Sequence, residues 1–151
     1  MNLEQLAAVC QEAARDLVAR SPRPVPATVV LPLPEATRVT TLPGFPDDDQ
    51  ARSGLLARFA ADVMRPANAP CYGFIAEATL AAPGDAGHAP PSGGPQDVLV
   101  CAYGARQHGA HVTAAPLRPD GLGEFLQPEP LEATALPFLQ PLQRAADAAV
   151  P

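Results

Sequence analysis

Glu77 is the one charged residue in a strand-like run, Cys71-Tyr-Gly-Phe-Ile-Ala-Glu-Ala-Thr-Leu80. A carboxylate there could serve as a general base if a second group were positioned to share its proton. Cys71, in the same run, and Cys101, in a second run from Asp97 to Arg106, are candidate nucleophiles. A thiol becomes nucleophilic when a cation or a helix N-terminus lowers its pKa. Cys101 sits instead between Val100 and Ala102. An apolar setting raises the pKa, and free cysteine is among the most buried residue types. His108 and His111 form a His-x-x-His pair beside the second run. Two imidazoles could share a metal, but a structural zinc site takes four protein ligands and a catalytic one usually three. No Cys-x-x-Cys stands near them, so two solvent-facing turn histidines are expected and no metal is assigned. No cofactor is assigned either, because the glycines around Gly104 join strand to strand and not strand to helix. The three serines, Ser21, Ser53 and Ser92, stand at no strand-to-helix elbow, which argues against a serine hydrolase.

These candidates need elements to position them. By alternation, Tyr72, Phe74, Ala76, Ala78 and Leu80 share the face expected to meet the core. Glu77 falls on the other face with Cys71, Gly73, Ile75 and Thr79, and is expected to pair with Arg38 or Arg106 across a sheet. The two central runs read as paired strands. Between them, residues 81–96 are rich in Pro, Gly and Ala with no apolar period, and are expected to form a flexible loop. Upstream, Ala27–Leu31 and Thr37–Leu42 read as a hairpin with at least one edge strand. Downstream, Gly104 reads as a turn or bulge, and His111–Ala115 as a strand ended by Pro116.

Leu3, Leu6, Cys10, Ala13 and Leu17 recur at helical steps, so a helix over 3–20 capped by Asn2 is expected. The run Asp47-Asp48-Asp49 caps a second helix over 48–65 and places negative charge at its positive end. That helix should stop before Pro66. A last helix is expected from Phe138 to Ala149, with Pro141 in its first turn. The order predicts one α+β domain over 1–151, with a single antiparallel sheet of about five strands and helices packed on one face.

Bulk composition narrows function further. The 151 residues carry a net charge of −6, and all ten basic residues are Arg. Uniform Arg usage, with the Ala, Gly and Pro load, reads as GC-rich ancestry. Nucleic-acid binding needs basic residues to displace phosphate counterions, and no basic run exists. Nucleic acid and anionic membranes are therefore not expected partners. Cysteine usage, an N-terminus without a signal-peptide pattern and the lack of a long apolar run predict a cytoplasmic protein with reduced thiols.

The segments Tyr72–Ala78 and Asp97–Tyr103 resemble small uncharacterised bacterial and phage α+β proteins. Those share a strand of the form aromatic-hydrophobic-(Ser/Ala)-Glu-Ala, a Pro-rich excursion and a second Val-rich strand. The resemblance spans the middle half of the chain, implies the hairpin and draws attention to Glu77, and brings no activity with it. In size, charge and helix–sheet–helix layout the chain is also similar to the acidic chaperones of type III secretion, which bind an effector segment as dimers. Its second helix departs from that pattern by arriving after two strands, where three would be expected. The residues favour a non-enzymatic interaction protein, adaptor- or chaperone-like, that binds a protein partner or associates with itself as a homodimer. In that reading the apolar tract Leu131 to Leu142 covers the sheet or a partner. The alternative is a small enzyme using Glu77 with His108 or His111, or a Cys71 or Cys101 nucleophile.

Overall fold

Asn2 opens the first helix with a reciprocal cap, its side chain accepting from the Gln5 N–H at 2.7 Å while the Asn2 N–H donates to Gln5 Oε1 at 2.9 Å. In the computed structural model, which describes residues 2–80, 96–132 and 134–151, this helix (α1) runs Leu3–Arg20. A hairpin follows, β1 (Thr28–Pro32) and β2 (Thr37–Thr41). The Asp48 carboxylate accepts from the Ala51 N–H at 2.9 Å and starts α2 (Asp49–Phe59). The acidic run thus does what its position predicts.

The second helix does not stop at Pro66. It widens into a π turn (Ala60–Met64) and continues as α3 (Arg65–Ala67), ending at Asn68 in the left-handed conformation. Proline has no N–H and its ring clashes with the carbonyl four residues back in a regular helix. Widening to five-residue spacing, with the Arg65 N–H on the Ala60 carbonyl, relaxes that conflict.

The long strands β3 (Cys71–Leu80), β4 (Gln96–Ala105) and β5 (Gly109–Arg118) come next. Short strands β6 (Gly121–Leu122) and β7 (Glu129–Pro130) follow, then a 3-10 turn (Pro137–Leu139) and α4 (Gln140–Asp147) with Pro141 in its first turn. The flexible loop expected over 81–96 lies outside the described residues, except that Gln96 begins β4. All pairings are antiparallel, in the order β2-β1-β3-β4-β5-β6 with β7 also on β5, and the sheet curls into a half-barrel. The α+β class and the antiparallel sheet stand as expected. The two strands beyond the expected five are two-residue pieces along β5.

β5 passes through Pro116 where an end was expected. The Gly123 N–H donates to the Pro116 carbonyl at 2.8 Å, so that residue's polar groups face away from β4. The missing N–H costs the β4 ladder nothing.

The layering differs from the expected single helix-covered face. One face carries Val29, Leu31, Tyr72, Phe74 and Ala102 under α2, the π turn and α4. The other carries Val30, Cys71, Ile75, Leu99, Cys101 and Tyr103 under Leu6, Cys10, Ala14 and Leu17 of α1. All of β1, and β3 from Cys71 to Ile75, are buried on both sides. A strand covered on both faces shows a continuous apolar run, and alternation then marks no outer face. The C-terminal tract is part of the first layer: Phe138, Leu139 and Leu142 are buried in it and Leu131 and Leu136 pack against it.

Candidate functional site

Glu77 lies on the α1 face of β3, opposite Phe74, as alternation predicts. Its partner is neither Arg38 nor Arg106. Arg23, just after α1, donates from Nε to Oε1 at 3.3 Å and from Nη2 to Oε2 at 3.4 Å. The Val25 N–H adds a third bond to Oε1 at 3.1 Å. The same guanidinium reaches Asp97 on β4 at 2.8 Å, and Thr79 donates to the other Asp97 oxygen at 2.9 Å. Both Glu77 oxygens are thereby committed to fastening the chain after α1 onto the β3–β4 pair. Arg106 instead donates to the Ala149 carbonyl at 3.0 Å, near the chain's other end.

The histidines stand elsewhere. His108 is exposed in the β4–β5 turn. His111 stacks on Tyr103 across β4 and β5, with ring centroids 5.8 Å apart and planes 16° off parallel, and its buried Nδ1 has no hydrogen-bond partner among the described residues. Glu77 is level with Leu99 on β4, whereas His111 is level with Tyr103. Four residues along a strand is roughly 13 Å, and crossing from β3 to β5 adds roughly 10 Å. Glu77 and His111 therefore cannot share a proton. Among the described residues no thiol or imidazole hydrogen-bonds Glu77, and no group of three or more His, Cys, Asp or Glu is arranged to hold a metal ion.

The three cysteines do converge, but under cover. Cys10, Cys71 and Cys101 are all buried in the layer beneath α1. A hydrogen bond with Cys101, then burial, push the Cys10 thiol far above its ordinary value. Burial first, then the Cys10 charge, raise Cys71. Each effect disfavours the thiolate that a nucleophile needs. We expect Ellman's reagent to titrate no thiol in the native protein at pH 8 within an hour, and three after denaturation in guanidinium. Fast reaction of one native thiol at the thiolate-dependent rate would show a functional cysteine.

Two features have no counterpart in the sequence reading. The first is an asymmetry between the sheet's edges. The β5 edge is covered by the chain's own 121–131 segment: Leu126 and Leu131 donate to the Ala114 and Ala110 carbonyls, both at 2.9 Å, and β6 and β7 pair there. At the other end, β2 is exposed almost throughout, Val39 is 48% exposed, and among the described residues nothing pairs with its outer edge.

The second is a cleft of about 560 Å³ beside the first core layer. Phe45, Phe74 and Phe138 form its aromatic side, with centroids 5.5–5.9 Å apart in tilted and edge-to-face contacts. Arg52 holds Phe45 and Phe138 together, its guanidinium carbon 5.4 and 5.3 Å from their centroids, while Nε donates to the Pro46 carbonyl. Arg52, which no sequence motif singles out, is thus a principal architectural residue. Its one signal in sequence was its place one turn after a capping aspartate.

Comparison with protein-family models, curated proteins and solved structures finds no match to this chain. Among the described residues no helix is long and apolar enough to cross a membrane.

Proposed function

We propose that the protein is a non-enzymatic interaction protein, adaptor- or chaperone-like, that works as a homodimer joined through β2. The observation that carries this reading is the asymmetry of the edges. An uncovered strand edge presents a row of backbone donors and acceptors that pairs with any strand of suitable register. The eleven residues 121–131 cover one edge, while among the described residues none pairs with the other. The catalytic candidates support the same conclusion, since Glu77 is used structurally, the thiols are sealed and the histidines lie apart.

The occupant that fits is a second β2. In a two-fold antiparallel pairing centred on Val39, Val39 meets its own copy and Thr37 meets Thr41 of the second copy. Arg38 meets Thr40. Apolar and Thr–Thr pairs are favourable and no like charges oppose one another. Centring on Arg38 would set two guanidiniums face to face, and centring on Thr40 would bring Pro43 into the ladder. An interface of two five-residue strands falls below the usual size of a stable one, so a weak dimer, about micromolar or weaker, is expected.

Sedimentation equilibrium tests this. Val39→Glu places two carboxylates on the two-fold axis and should weaken the dimer at least about tenfold. Thr40→Glu places a carboxylate opposite Arg38 twice and should tighten it about threefold or more. Circular dichroism establishes that both variants remain folded. A wild-type protein that is monomeric at about 1 mM, or a Thr40→Glu variant that weakens the dimer, overturns the reading.

A further inference from the structure

We infer that the aromatic cleft is a binding site for a small apolar carboxylate, an aryl acid or a short alkyl acid. The site is distinct from the β2 edge and does not depend on it. At about 560 Å³ it is of the size that encloses a small organic molecule, and its walls are mostly apolar, as such sites are. Phe45, Phe74 and Phe138 offer ring faces and edges to a hydrocarbon body. On β3 and β4 the floor is Ala76 and Val100, both only half-buried, so small side chains leave room where a core would be filled.

The polar requirement comes from Arg52. Its Nε–H is taken by the Pro46 carbonyl, and its guanidinium lies beside the Phe45 and Phe138 rings, which are themselves in edge contact. Its terminal nitrogens are less committed. Nη1 is 3.8 Å from Asp49 and Nη2 is 4.0 Å from Asp47, beyond hydrogen-bond distance. Both aspartates are well exposed, so water screens their pull. The forked donors of an arginine match a carboxylate in two parallel bonds, and a charge-assisted bond in a partly enclosed site is stronger than a neutral one. Asp47 and Glu77 also line the cleft, but Glu77 is already paired with Arg23 and Asp47 is fully exposed, so Arg52 is the charge there that a ligand's carboxylate can meet.

The test is titration of the full-length protein, followed by amide NMR and calorimetry, with 4-phenylbutyrate and octanoate beside their alcohols and 4-phenylbutylamine. The acids should bind at least about tenfold more tightly than the alcohols, and the amine more weakly still. Shift changes should centre on residues 44–52, 74–78 and 136–138. Arg52→Met keeps an apolar stem beside the two rings; it should bring the acids down to the affinity of the alcohols while leaving the alcohols unchanged. If that variant fails to fold, Ala78→Phe, which fills the floor, should abolish binding of acid and alcohol together. Equal binding of acid and alcohol by the native protein overturns the inference. So does absence of binding at about 10 mM, an acid preference that survives Arg52→Met, or undiminished binding by Ala78→Phe.

Discussion

A chain ending at Pro130 is expected to be unfolded in water. The residues it lacks include Phe138, Leu139, Leu142, Ala145, Ala146 and Ala149, each less than a tenth exposed. Burying the three large side chains contributes about 5–9 kcal/mol at roughly 1.5–3 kcal/mol apiece. A whole domain is stable by only about 5–15 kcal/mol. Removal also uncovers Leu56, Met64 and Tyr72, which are fully buried in the same layer. Tyr72 loses Gln143, which now accepts its hydroxyl proton at 3.0 Å. Far-UV circular dichroism and amide NMR dispersion read the outcome. Leu142→Ala gives the graded version, a loss of about 2–5 kcal/mol from the urea midpoint at unchanged slope. A truncated chain with native dispersion and midpoint would mean that the tract is a detachable arm. In that case its proper role would be to cover a partner.

Gly73→Ala is expected to cost about 2–3 kcal/mol, and Cys10→Ala to restore much of that loss. A methyl group at position 73 would sit 2.3 Å from Cys10 Sγ, a separation that real side chains do not show. Neither partner can retreat, since Cys10 is fully buried and β3 is enclosed on both faces over Cys71–Ile75. Removing the sulfur leaves the Cys10 Cβ 3.5 Å away, an ordinary contact. The double variant should therefore be more stable than the sum of the single changes allows, by at least about 1 kcal/mol. Urea unfolding of the four proteins measures this coupling. Strict additivity would show that α1 does not press on β3 at Gly73.

Gly104 repeats the arrangement on the opposite face. Its added methyl would meet Gln143 Oε1 at 2.3 Å and the Tyr72 hydroxyl at 2.7 Å. From sequence alone, Gly104 reads as a turn or bulge. The strand in fact runs through Gly104 in register with Tyr72 to Ala105, and the glycine is the place where α4 comes close. A glycine that admits a helix and a glycine that bends a chain look alike in sequence, because the difference lies in what packs above it.

The candidate site divides the same way. Glu77's face followed from alternation, but its partner did not. Arg23 lies 54 residues away along the chain, and Arg38 and Arg106 were equally good candidates by type. The neighbours of Cys101 placed it in an apolar setting, and it is buried; that Cys10 and Cys71 join it in the same layer, with thiols raised by a hydrogen bond and burial, came from the packing of α1 on the sheet. The cleft had no sequence signal beyond an arginine and three phenylalanines in separate segments.

The sequence by itself determined the helix starts at Asn2 and within Asp47–Asp49, the strand character of the two central runs and the α+β class. Each of these follows from forces acting within a few residues, a side chain reaching a nearby N–H or apolar groups repeating at the period of the backbone. Only the tertiary structure decided that helices cover both faces, that Arg23 takes Glu77, that Arg52 meets two phenylalanine rings and that, among the described residues, nothing pairs with the outer edge of β2. Those outcomes depend on which distant surfaces meet once loops close, and residue type sets that contact's strength without naming the partner.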